Sequence, residues 1–273
     1  MPAVEEYGVE PIPAELRTAR WGTLFAINFT FFLNPVMCVL GAFAVLGGGL
    51  PLWWAVVATV VGQALAFGLL VVIAQPGVDD GLPGQVAMRA HFGLLGARAL
   101  TSPYRVIAAV YWFATQALTA AFGVQALVQV LADTRLPVVP VALGFAVVQA
   151  GLAVLGFDVM RWLFRVVLPL SLGAAGLLIA LYLATDDPRY GVSRVFESPE
   201  QRFTWTGFAT YVTIIAVASL TFVTNMADFC RYTPTRTDMR IGLVASSLTA
   251  VALTTFIGAY VAVAAGESNP FVA

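Results

Sequence analysis

Seven stretches, residues 21–46, 51–75, 103–131, 137–157, 160–184, 204–230 and 241–265, each run 21 to 29 residues with little charge. About 20 helical residues cross the hydrocarbon core of a bilayer. Lipid satisfies no backbone N–H or C=O, so a spanning chain must be helical or a closed barrel. Stretches of this length set the expectation: an all-α, polytopic membrane protein with seven transmembrane helices. Composition agrees, with 60% hydrophobic and 11% charged residues, against about 25% charged in an average soluble domain.

The first stretch carries Asn34-Pro35 near its middle. Proline removes a backbone hydrogen bond and clashes with the carbonyl four residues earlier, that of Phe31. The helix is therefore expected to break at membrane depth, where unsatisfied backbone must face protein or a polar cavity. Carbonyls freed around Phe31–Asn34, with the Asn34 side-chain oxygen, are candidate cation ligands. A plain proline kink closed by neighbouring helices is the other reading.

All 14 basic residues are Arg, and there is no Lys. A retinylidene protein, which needs a Schiff-base lysine, is thereby excluded. With the N-terminus inside, ten arginines fall on the cytoplasmic side and four (Arg135, Arg189, Arg194 and Arg202) outside. The positive-inside rule favours that orientation, opposite to the one usual for a seven-helix receptor. Residues 1–20 read as an extended cytoplasmic arm without a cleavable leader, residues 85–100 as a short interfacial helix, and 185–203 as an outer loop. Cys38 and Cys230 lie in or at the end of spans and read as small apolar fillers. The lone His91 sits in a loop segment and cannot form a multi-histidine metal site. No HExxH, GxSxG or P-loop pattern occurs, so no enzyme is expected.

Polar residues inside the spans are the candidate site. Trp112 and Gln116 are four apart, hence one turn apart on one helix face. An indole offers a stacking platform and an amide one turn above offers a donor and an acceptor, a combination suited to a flat heteroaromatic ring. Interhelical bonding of Gln116 is the alternative, as it is for Gln63, Gln125, Gln129 and Gln149. The sixth stretch carries Ser219, Thr221, Thr224 and Asn225, then Asp228 and Arg231 at its cytoplasmic end. Spaced by three, Asp228 and Arg231 are expected to pair there in a structural or gating role.

Four motifs then resemble one family in order along nearly the whole chain. They are the arm Gly8-Val9-Glu10-Pro11-Ile12-Pro13 with Arg17-Thr18, the loop Gly81-Leu82-Pro83 with Arg89, Phe92-Gly93 and Gly96, the Trp112/Gln116 pair, and Ala227-Asp228-Phe229-Cys230-Arg231-Tyr232. Together they resemble the purine–cytosine permease branch of the nucleobase–cation symporters. That resemblance implies a five-plus-five inverted-repeat transporter with helices one and six broken. Residues 21–184 would be the first repeat, 185–203 an extracytoplasmic loop, and 204–273 the start of the second repeat in a C-terminally truncated member. It implies a cell-membrane permease importing a nucleobase such as cytosine or a purine by H+ or Na+ symport. The alternative is a non-transporting truncated membrane protein or a receptor. Trp112 would stack on the base and Gln116 bond its edge, with Asn34, Ser219 and Phe222 as further substrate contacts and Phe31 and Asn34 near the ion. The second tryptophan some members carry in span six is missing here. No cofactor beyond the coupling ion and no nucleic-acid partner is implied; the partners are the base and the bilayer.

Overall fold

A computed structural model describes residues 7–154, 156–185, 188–196 and 202–265. The expected chain end at 267–273 and part of the 185–203 loop lie outside the described residues. No strand occurs among the described residues, and twelve α-helices follow in order. They are α1 (Trp21–Phe32), α2 (Pro35–Leu46), α3 (Leu52–Ile73), α4 (Gln75–Asp80), α5 (Gly84–Gly96), α6 (Ser102–Ala132), α7 (Val138–Val154), α8 (Gly156–Ala184), α9 (Val192–Phe196), α10 (Trp205–Leu220), α11 (Met226–Cys230) and α12 (Arg236–Ala265). Among the described residues, five helices are long and apolar enough to cross a membrane, and the bent pair α1–α2 makes a sixth. Helix α7, at 17 residues, is shorter than a usual span.

The break in the first span is present, with a bend of 57° between α1 and α2. Asn34 makes it. Its Oδ1 accepts from the Met37 N–H at 3.1 Å, capping α2, and its Nδ2 donates to the Phe31 carbonyl at 2.6 Å. Pro35 sits at the first position of α2, where its missing N–H removes nothing. The sixth span is interrupted too, without a proline. α10 ends at Leu220, a 3₁₀ turn covers Thr221–Thr224, and α11 follows. Short 3₁₀ pieces inside a helical path often mark hinges.

The two broken spans, α3 and α12 form one bundle, with α12 in contact with α1, α2 and α3, and α3 with α10. Phe32, Phe67, Leu70, Met226, Met239 and Leu243 fill its centre. Helix α8 lies against α1, and α6 pairs with α7 along the flank. At the α2–α12 crossing the backbones nearly touch: a Cβ on Gly258 would collide with the Cys38 carbonyl, and one on Gly41 would sit 2.7 Å from Thr255 Cα. Such close approach through small residues substitutes for the hydrophobic driving force that lipid does not provide. Gly258→Val must push α2 away, because a backbone carbonyl cannot rotate aside. Overpacking costs about 1–3 kcal/mol or more. A lowered unfolding temperature in detergent is the expected result, and an unchanged one would contradict the crossing.

The arm is ordered against the body of the molecule. Ile12 is fully buried, and its N–H donates to the Gly81 carbonyl at 3.0 Å. Arg17 reaches the carbonyls of Ile12, Val78 and Asp79 at 2.9–3.1 Å. The wholly extended arm expected from sequence is modified by a 3₁₀ turn at Ala14–Leu16. The interfacial helix expected over 85–100 runs instead from Gly84 to Gly96 and passes through a π-turn, Ala97–Thr101, into α6.

Candidate functional site

Along α6, Arg105, Trp112, Gln116 and Thr119 are spaced by seven, four and three residues, which puts them on one stripe. That stripe faces the two breaks. Near mid-helix, Trp112 Nε1 donates to Thr221 Oγ1 at 2.9 Å. The Thr221 hydroxyl donates in turn to the Ala218 carbonyl in the last turn of α10 at 2.6 Å. The indole stacks on Phe222, with ring centroids 5.6 Å apart and planes 28° apart. Phe31, from the end of α1, meets Phe222 edge-on at 4.9 Å. Aromatic rings thus join span three to both breaks.

One turn above Trp112 a cavity of about 290 Å³ opens. Thr30, Phe31 and Asn34 line it from the first broken span, Gln116 and Thr119 from α6, Gln149 from α7 and Phe164 from α8. Three amides line it together with two aromatic rings. The Asn34 amide is engaged in the helix break, which leaves Gln116 and Gln149 as the amides able to meet the edge of a flat ring. The Thr30 hydroxyl oxygen is buried without a hydrogen-bond partner among the described residues.

Gln116, Asn34 and Phe31 therefore come together at the cavity, and Trp112 and Phe222 form a stacked pair beside it. Ser219 does not join them. Its hydroxyl is buried and donates to Gln63 Oε1 at 2.5 Å. This confirms Gln63 as an interhelical contact and leaves Ser219 pointing away from the cavity. At the first break, the Phe31 carbonyl and the Asn34 Oδ1 both accept from protein donors. Gln125 donates to the Leu136 carbonyl at 3.2 Å. Thr30, Thr119, Gln149 and Phe164 were not singled out from sequence as site residues. Thr119 extends the Trp112/Gln116 stripe, and Gln149 is a lone amide in an apolar span, so both left a trace.

The pairing expected at the cytoplasmic end is wrong in its partner. Asp228 Oδ2 lies 2.8 Å from Arg105 Nη1, not against Arg231, and Asp228 Oδ1 accepts from the Gly84 N–H at 3.1 Å. The backbone stays helical through Arg231, so spacing is not the reason. The N-terminal arm supplies carbonyls that engage the Arg231 guanidinium, while α6 brings Arg105 to Asp228. Arg231, nearly buried, donates instead to the carbonyls of Tyr7 and Gly8 at 2.7 and 3.2 Å. Both cysteines are free thiols, Cys230 fully buried and Cys38 half-buried.

This fold has known counterparts. The chain superposes on MHP1, a nucleobase-cation-symport-1 family transporter in a closed conformation with bromovinylhydantoin bound, with a TM-score of 0.79 at 19% identity, over 99% of this chain and 59% of that one. At that identity the likeness establishes the fold. YxlA of Bacillus subtilis (strain 168), whose assigned name is that of a purine-cytosine permease, is 24% identical over 243 residues, 86% of this chain. The chain spans about half, 48%, of that relative's length. Residues 11–270 match the family described as permease for cytosine/purines, uracil, thiamine and allantoin, and the chain belongs to that family of multi-pass membrane proteins.

Proposed function

We propose that this chain forms the substrate-binding half of a permease that imports a nucleobase or a similar heteroaromatic ring across a cell membrane by symport with H+ or Na+. The observation that carries this reading is the convergence of Trp112, Phe222 and Phe31 on the two helix breaks beside a cavity bearing three amides. Trp112 supplies the stacking face, Gln116 reads the ring edge, and Asn34 holds the first break while presenting its amide to the same space. Residues 21–184 act as the first repeat and 204–273 begin the second. The arginine distribution supports a cytoplasmic N-terminus. Alternating access would rock the bundle of broken spans against α6–α8 around this midplane site.

The test is saturable binding of radiolabelled cytosine, hypoxanthine, uracil and hydantoin to the purified protein, with and without Na+ and across pH. Binding of at least one, with ion dependence naming the driving cation, is the expected result. Failure of all four under every condition would reject the substrate class. Gln116→Leu should leave stacking intact and remove edge recognition. The affinity order among the four ligands should change, with about 5- to 10-fold loss for the best one, the worth of a buried hydrogen bond. An unaltered order would remove Gln116 from the site.

A further inference from the structure

We propose that Thr221 is a positioning residue that fixes the plane of the Trp112 indole and ties it to the break in span six. The proposal rests on the reading of Trp112 as the stacking platform. Thr221 begins the 3₁₀ turn, and its own hydroxyl proton is committed to the Ala218 carbonyl at 2.6 Å. Its lone pairs are thereby left to accept the indole N–H, which they do at 2.9 Å. A hydroxyl that donates locally is a fixed acceptor rather than a free rotor. The next residue, Phe222, covers a face of the same indole.

Consecutive residues of one turn thus hold the edge and the face of one ring. Two stacking gaps of about 3.5 Å each are needed to admit a third ring between two others, about 7 Å in all. The centroids stand 5.6 Å apart, so a ligand ring enters between them only if the 3₁₀ turn shifts and carries Phe222 off the indole. That same shift acts on the Thr221 bond. Thr221 therefore couples ligand stacking on span three to the position of the break in span six.

Thr221→Val keeps the shape and removes the acceptor, and Thr221→Ser keeps the hydroxyl. The readout is the indole N–H hydrogen-bond band in ultraviolet resonance Raman, assigned to Trp112 by its loss in Trp112→Phe, together with binding of cytosine, hypoxanthine, uracil and hydantoin to the intact protein. Thr221→Val should shift the Trp112 band to that of an unbonded indole and weaken the best ligand about 5- to 10-fold. Thr221→Ser should restore both. In a Trp112→Phe background Thr221→Val should produce no further change in binding. An unshifted band in Thr221→Val overturns the proposal, and so does a shifted band with unchanged affinity. If none of the four ligands binds even the parent protein, the substrate reading fails separately, and the band still decides whether Thr221 fixes the ring.

Discussion

Trp112→Ala is expected to abolish measurable nucleobase binding while the protein still inserts and folds. The indole is the largest flat surface beside the cavity, and the stacking of a base on an aromatic ring is worth about 1–3 kcal/mol per base. Removing it loses that contact, about 5- to 150-fold in affinity. It also removes the stacking partner of Phe222, which keeps only its edge-on contacts with Phe31 and Phe32. The combined loss should reach about 100-fold or more. Trp112→Phe separates the parts: it retains a stacking face and loses the N–H to Thr221, so it should fall between parent and alanine. The measurement is equilibrium binding of cytosine, hypoxanthine, uracil and hydantoin, normalised to the folded fraction from a thermal melt. A folded Trp112→Ala protein that binds as the parent does would sink the assignment of the site.

The architecture was legible because membrane folding leaves few options. Span length and the Asn34-Pro35 break follow from what lipid excludes, and the four motifs identify the family. The stripe through Trp112 and Gln116 was also readable, since helical spacing alone puts them on one face. Sequence reasoning failed where a partner lies far along the chain. Asp228 had a nearby arginine at helical spacing, and only the packing of α6 and of the arm reveals that Arg105, 123 positions earlier, takes that role while Arg231 turns to the arm. Ser219 was carried into the site by its place in the family pattern. It lies inside α10, ahead of the break, where its hydroxyl turns to Gln63 on α3. Thr221, two residues on, sits past the end of α10 and faces span three instead. A two-residue shift across a change of helix type redirects a side chain, and no spacing rule predicts where that change falls.

Asp228→Asn is expected to loosen the α11 end of the broken sixth span. Asp228 joins three elements there: it pairs with Arg105 of α6 at 2.8 Å and accepts the Gly84 N–H at the start of α5, from its own place in α11. Gly84 has room for no Cβ against the Thr224 carbonyl, so these elements meet at backbone distance. An asparagine oxygen can still accept from Gly84, so what the substitution removes is the countercharge of Arg105. Losing one partner of a fully buried pair costs about 3–5 kcal/mol. Here the two side chains retain 33% and 24% exposure, and solvent screening reduces the expected effect to about 1–3 kcal/mol. The chain carries its own reporter, because Cys230 is two residues away and fully buried. In a Cys38→Ser background, maleimide labelling of Cys230 should accelerate about 10-fold in Asp228→Asn and by a similar factor in Arg105→Gln. A double-mutant cycle should show coupling between Asp228 and Arg105 and none between Asp228 and Arg231, since the latter is engaged with the arm. Labelling as slow as in the parent would mean that the ion pair does not hold this end closed. Coupling to Arg231 instead would restore the pairing that helical spacing alone suggests.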